Sequence, residues 1–391
     1  MQIGINAQKL FMSHDYRNAG ISRYIGRLVH HLPLVPGNER YRLYTNQHVR
    51  RLPELEHQRV AVVSTRLPTT APLVRILWEQ AVLPVLALRD GVELLHCPLN
   101  VRPVVATVPV VLTIHDLSFV RFPDRFHPLK QRYLANLTRY SARRARRILA
   151  DSMATKRDVE ATFQIPPWRV DVVYPAVDAD FRPYDRDDEA DGAALDAFRA
   201  RHRLPEHIIL YQGTLEPRKN VDKLVQAYAG LVARGLPHTL VLAGGKGWDY
   251  QAIFRAVEAH GLQERVRFPG YVDRAEQPLW YNAADLFVYP SQYEGFGLPA
   301  LEAMACGVAV VTSNTSSLPE VVGSAGATVD PTDVEALTET MAAVLTDKDR
   351  AAAMAAAGRQ RAAQFTWRAS AEACVAAYRA AYREAGGQVQ P

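Results

Sequence analysis

Cysteine is scarce: 391 residues hold three, Cys97, Cys306 and Cys374, far apart and without Cys-x-x-Cys spacing. That excludes a disulfide framework and a cysteine metal site, and it suits a reducing compartment. Long apolar runs are missing too, since no stretch approaches the ~18–20 residues that cross a bilayer. The opening MQIGINAQKL has no basic region followed by an apolar one, as a secretory leader would. A chain that is neither secreted nor membrane-spanning, and hence cytoplasmic, is expected. Excess charge of one sign is small: 46 Lys and Arg against 41 Asp and Glu give +5, which matters only where it is concentrated. No short sequence repeat and no collagen-like, coiled-coil or disordered composition occurs.

What is present is a globular chain with 48% hydrophobic residues, long enough for two domains. Short apolar runs, each followed by a segment of helical period, recur throughout and spell βαβ units. In the first half the expected strands are Gln2–Asn6, Tyr41–Tyr44, Val60–Val63, Glu93–His96, Val108–Ile114, Arg147–Ala150 and Arg169–Val173. In the second half they are His207–Tyr211, Thr239–Ala243, Val266–Phe268, Leu286–Tyr289, Val308–Thr312 and Thr328–Val329. Being apolar without polar alternation, they read as buried parallel strands. A helix over Val221–Arg234 ends at Gly235 as a left-handed cap. The acidic, aperiodic stretch from Asp178 to Gly192 reads as a linker. The fold class expected is α/β, with Rossmann-like domains at 1–180 and 204–365, a linker at 181–203, and a C-terminal helix in 366–391 packing back toward the first domain.

The loop YPSQYEGFGLPALEAMACG, Tyr289 to Gly307, follows an apolar strand and opens a helix in which Pro299 suits the first turn. Free backbone N–H groups at such a helix start suit an anion or a sugar hydroxyl, and Gly295 and Gly297 let a ligand approach the backbone. Glu294 and Glu302, eight positions apart, flank it. A carboxylate accepts from both hydroxyls of a vicinal diol, although a solvated loop residue and a carboxylate favoured by the helix dipole account for the pair equally well.

EGFGLPALE, followed by AxxCGxxVV and LPEVVG, resembles the signature of the family 4 glycosyltransferases, retaining enzymes of the GT-B fold with two Rossmann-like domains facing across a cleft. The resemblance extends over most of the chain. It implies that Glu294 contacts donor-sugar hydroxyls, Glu302 the nucleotide ribose, and the backbone of Phe296, Gly297 and Leu298 the sugar and phosphate. In YQGTLEPRKN it implies that Gly213 turns the chain and that Arg218 and Lys219 bind the nucleotide diphosphate. Physics agrees, because preorganised cations stabilise charge that grows on the leaving group. Asn220 is expected to cap the next helix. In LTIHDLSF the resemblance places His115 beside the breaking bond; a structural histidine at a strand end is the alternative, and His96 in LLHCP is a weaker candidate. The family has two adjacent glycines in its first loop, where this chain has Asn18, Ala19 and Gly20. Ser152 reads as a helix N-cap.

Asp178-Ala-Asp180 superficially resembles a DxD metal site, but its position at the linker argues against that, and neither a required metal nor another cofactor is expected. The segment Pro128–Arg147 puts Arg132, Arg139, Arg143 and Arg146 on one helix face and Leu129, Tyr133, Leu137 and Tyr140 on another. It reads either as a peripheral contact with an anionic membrane or as an ordinary sheet-covering helix; nucleic-acid binding is not expected. GISRYI and TIHDL look most like bacterial mannosyltransferases of surface polysaccharides. The implied activity is transfer of a sugar, with GDP-mannose the first choice of donor, to a glycan or lipid-linked acceptor. A nucleotide-sugar epimerase of the same fold and a non-catalytic nucleotide-sugar-binding scaffold are the alternatives.

Overall fold

The computed structural model describes residues 1–11, 20–52, 57–123 and 128–388. The chain divides into two compact units, Met1–Pro175 with Thr366–Pro391, and Ala176–Phe365. Each is built on a wholly parallel sheet.

In the first unit seven strands run in the order β3-β2-β1-β4-β5-β6-β7: β1 Gln2–Ala7, β2 Arg40–Thr45, β3 Val60–Ser64, β4 Leu94–Cys97, β5 Val110–Ile114, β6 Arg147–Ala150 and β7 Val170–Val172. In the second, six strands run β10-β9-β8-β11-β12-β13: β8 Ile208–Gln212, β9 Thr239–Ala243, β10 Val266–Gly270, β11 Leu286–Tyr289, β12 Ala309–Ser313 and β13 Ala327–Val329. All thirteen apolar runs named above are strands. β4, β5, β8, β9, β11 and β12 are buried at every residue, as parallel strands covered on both faces must be. Each sheet has one topological switch point, between β1 and β4 and between β8 and β11, and in open α/β sheets ligands bind beside the strand ends there.

Three local expectations need correction. The segment 181–203 is not a bare linker: Asp188 caps a helix over Glu189–Arg201 by accepting from the amides of Ala190 and Asp191, and Arg182 grips Asp191. Asn220 precedes the helix Val221–Ala233 but does not cap it; with φ +59° it turns its side chain away and donates to the Pro331 carbonyl at 2.5 Å. The basic helix ends at Arg144, and its buried stripe is Thr138, Ser141 and Ala142, followed by Ala145, which packs small residues close to the sheet. Of the residues on the second face, Tyr133 is 40% exposed and Leu137 and Tyr140 are half-buried; the Leu129 side chain lies outside the described residues.

The last helix, Trp367–Glu384, belongs to the first unit. Its Tyr378 hydroxyl meets His96 Nδ1 at 2.7 Å, and His96 Nε2 meets Thr113 Oγ1 at 2.8 Å. Burial, then the neighbouring His115, pushes His96 down to about 3. It is a neutral structural histidine. The three cysteines are buried free thiols, and no helix among the described residues is long and apolar enough to cross a membrane.

Candidate functional site

β8 and β11 are neighbours across the switch point of the second unit, so the loops leaving their carboxyl ends converge. This brings together residues 75 positions apart. Lys219 Nζ donates to Glu294 Oε1 at 2.5 Å and to the Tyr289 hydroxyl at 2.5 Å. Arg218 Nη1 donates to Glu294 Oε2 at 3.2 Å and to the Tyr293 carbonyl, and its Nε donates to Glu216 Oε1 at 3.0 Å. Ser291 Oγ donates to Glu294 Oε1 at 2.5 Å. Lys219 and Glu294 are each only 8% exposed.

Burial alone would raise the Glu294 carboxyl, but the Lys219 and Arg218 charges override it and hold it down at about 2. Burial draws Lys219 below its usual 10.5 while Glu294 opposes it. The group is therefore an ionised cluster, and its carboxylates offset the mutual repulsion of two adjacent cations. Glu294 is therefore not the solvated loop residue of the alternative reading.

Gly213 ends β8 against the ring of Tyr211: a Cβ there would stand 2.9 Å from the Tyr211 hydroxyl, which itself donates to the Thr214 carbonyl at 3.0 Å. After Glu294 the chain runs through Gly295 and Phe296 to Gly297. There φ is +107°, and a Cβ would meet Leu318 at 2.6 Å. The helix Leu298–Ala305 starts at this point with Pro299 in its first turn. Ser316 and Ser317 fasten the loop from behind through the Glu294 amide and carbonyl and the Phe296 carbonyl. Glu302, inside the helix, is 4% exposed and accepts from the Tyr281 hydroxyl at 2.8 Å. Burial, then Glu302, raises that phenol well above 10, so it stays a donor. Tyr281 escaped the sequence reading because a tyrosine on a short apolar helix looks like core.

His115 and Gly20 belong to the first unit. Gly20, at φ +50°, precedes the helix Ile21–His31; Asn18 and Ala19 lie outside the described residues. His115 follows β5, with Nδ1 2.8 Å from Asp151 Oδ2 and Nε2 3.0 Å from the Pro98 carbonyl. Tyr24 lies edge-on to its ring at 4.9 Å. Burial lowers the imidazolium, but the Asp151 carboxylate and the Pro98 carbonyl outweigh it and carry the pKa above 6.5. Both ring nitrogens thus face acceptors, which favours the doubly protonated ring. Asp151 was missed although it directly precedes Ser152, which caps the helix Met153–Phe163 by accepting from Thr155. The signal was its position at the end of β6, beside β5.

Asp178 and Asp180 are not an open pair. Both bind the Arg274 guanidinium, at 2.9 and 2.7 Å.

Comparison with known proteins matches residues 195–361 to the family described as glycosyl transferases group 1 and residues 18–181 to glycosyltransferase family 4. O-antigen chain mannosyltransferase B of Escherichia coli is 32% identical over 376 residues, covering 93% of this chain and 97% of that protein. Among solved structures, sucrose-phosphate synthase from Thermosynechococcus elongatus superposes with a TM-score of 0.74 at 21% identity, over 98% of this chain and 99% of that one. Anabaena HepE, in complex with UDP and glucose, gives 0.72 at 20% identity, over 97% and 100%.

Proposed function

Since this chain belongs to glycosyltransferase family 4, we propose that it transfers mannose, with retention of anomeric configuration, from GDP-mannose to a hydroxyl of a glycan or lipid-linked acceptor. The fold is GT-B and the activity a glycosyl transfer. Support for mannose is the near full-length likeness to a relative named as an O-antigen chain mannosyltransferase. The observation that carries the chemistry is the Arg218–Lys219–Glu294 cluster at the carboxyl ends of β8 and β11.

Breaking the bond between the sugar and the diphosphate sends an electron pair to the leaving phosphate oxygen. Arg218 and Lys219, held side by side by Glu294, stabilise that charge more in the transition state than in the ground state. The growing basicity of the same oxygen lets it draw the acceptor proton, so attack proceeds on the face the phosphate leaves. Glu302 holds the ribose, the Phe296–Leu298 backbone the sugar and phosphate, and His115 the donor-sugar region as an imidazolium. Acceptor-dependent GDP release, measured with GDP-mannose against UDP- and ADP-sugars, tests this reading. Consumption of donor without acceptor favours the epimerase, and binding without turnover the scaffold.

For location, the reading is peripheral association with the cytoplasmic face of an anionic membrane. Arg132, Arg139, Arg143, Arg144 and Arg146 are exposed on or just beyond the basic helix. Beside it runs an apolar stripe, Leu73, Leu77, Val85 and Leu88, exposed by 76, 69, 63 and 67%. Gln80 joins this stripe to the backbone of Arg102 and Val104, and Tyr140 of the basic helix donates to the Val104 carbonyl. An apolar strip rimmed by cations fits the boundary between headgroups and acyl chains.

A further inference from the structure

We infer that His207, His238 and Asp285 form a binding site for one divalent transition-metal ion, with Zn²⁺ the ion that suits it best, at the amino ends of β8, β9 and β11. Nothing in the sequence pattern marks these residues as a set; strand order assembles them. Each stands immediately before a strand, and the three strands are adjacent. Ile208 is level with Thr239, and Ile209 with Leu286, so the three preceding residues meet at one sheet edge. Backbone bonds fix them there: the Thr239 amide donates to the His207 carbonyl at 3.0 Å and the Asp285 amide to the Ile208 carbonyl at 2.9 Å.

Asp285 Oδ2 lies 3.5 Å from His207 Nδ1 and 3.8 Å from His238 Nε2, and one ligand atom from each of the three residues falls within 4.8 Å of the others. Tetrahedral coordination at about 2.0–2.1 Å separates ligand atoms by roughly 3.3–3.5 Å. Closing onto an ion therefore needs only small side-chain rotations. The His238 side chain is 9% exposed and presents Nε2 to Asp285, while His207 and Asp285 reach solvent and give the ion a way in. The Arg265 guanidinium nearby is tethered to the His238 carbonyl rather than to the ring. Two imidazoles and one carboxylate select zinc-like ions over Mg²⁺ or Ca²⁺.

The site lies at the opposite end of the sheet from Arg218 and Glu294, a five-residue strand or about 15 Å away. Its ion clips three strands together and takes no part in the transfer. A plain histidine–carboxylate ion pair is the competing account.

Isothermal titration of the EDTA-stripped full chain with Zn²⁺ separates the two. One ion per chain is expected, with a rise in melting temperature. In His207→Ala and Asp285→Asn the affinity should fall at least about 100-fold, since each loses a direct ligand rather than an outer partner. Glycosyl transfer should be unchanged, so a failure here is distinct from a failure of the transfer reading. A wild-type chain that binds no Zn²⁺ overturns the site. So does Zn²⁺ binding that both variants retain, which would place the ion elsewhere, for instance at His30 and His31. One readout needs no variant: diethylpyrocarbonate should modify His207 in EDTA and spare it with Zn²⁺, as read by peptide mass. Equal modification in both conditions overturns the proposal.

Discussion

Lys219 Nζ and Glu294 Oε1 stand 2.5 Å apart with both side chains almost wholly out of water, joining the loops that follow β8 and β11. The pair bears on stability as well as on the proposed transfer. Removing one partner of a buried ion pair leaves the other uncompensated and costs about 3–5 kcal/mol. Glu294→Gln should lower the unfolding free energy by that order at pH 7, as read in urea titrations, and Lys219→Met in the same chain should recover much of it. The carboxyl sits at about 2 in the folded chain against 4.5 free. Its contribution is present above pH 4.5 and is lost as pH falls toward 2. The difference between wild type and Glu294→Gln should therefore shrink over that window. A constant difference across it sinks the assignment.

Arg218 and Lys219 share Glu294 but differ in burial and in partners, and both are expected to act on leaving-group charge. Arg218→Ala and Lys219→Ala should each lower kcat by roughly 10²–10³-fold, the usual effect of losing one preorganised donor. Circular dichroism spectra should remain those of the folded chain. Turnover within a few-fold of wild type in either variant would falsify the role.

The His115–Asp151 pair makes a prediction about pH. Because the folded-state pKa lies above the free value of 6.5, the pair's stabilisation is complete below pH 6.5 and is lost as pH rises through the folded pKa. Buried neutral His96 acts with the opposite sign. The quantity to read is thus the difference in melting temperature between wild type and His115→Gln, which should narrow from pH 6 toward alkaline pH. A difference that widens instead means that His115 is neutral in the folded chain.

The membrane reading turns on charge and apolar area together. Arg132, Arg139 and Arg146 are exposed, and each surface cation adds about 1 kcal/mol of attraction. Reversing all three to Glu should weaken binding to phosphatidylserine vesicles at low salt by roughly 100-fold or more. Leu73→Ser with Leu77→Ser should weaken it at high salt as well, where screening has removed the charge component. Wild-type protein that stays in the supernatant with such vesicles disposes of the idea.

The strands were legible in the sequence because parallel strands buried on both faces must be apolar without alternation, as β4, β5, β8 and β11 are. The glycine loop was legible because Gly213 and Gly297 stand where a Cβ would strike Tyr211 or Leu318. What failed was anything set by strand order. Lys219 and Glu294 are far apart in sequence, and only the adjacency of β8 and β11 makes them partners. Asp178 and Asp180 were rejected as a metal motif from their position at the linker, but their partner Arg274, 94 or more positions away, was not legible. The inward face of the basic helix was not legible for a different reason. Its buried stripe consists of Thr138, Ser141, Ala142 and Ala145, and small residues chosen for close approach carry little hydrophobic signal.

On the proposed reading Glu302 and Glu294 divide binding from chemistry, and Tyr281 makes the division testable. Glu302 is fixed inside the helix Leu298–Ala305 by the Tyr281 hydroxyl, and it is expected to grip a ribose that is the same in ground and transition states. Loss of such uniform binding raises KM and leaves kcat nearly unchanged, whereas an interaction realised only in the transition state appears in kcat. Glu302→Gln should therefore chiefly weaken the donor and the free nucleoside diphosphate. Tyr281→Phe should do the same more mildly, by releasing the carboxylate it orients. Glu294→Gln should lower kcat while nucleoside diphosphate still binds, because Arg218 and Lys219 keep their charges and lose a competing anion. Calorimetry with the nucleoside diphosphate alone reads the difference directly. If Glu294→Gln loses that ligand while Glu302→Gln and Tyr281→Phe retain it at wild-type affinity, the roles assigned to the two carboxylates are reversed.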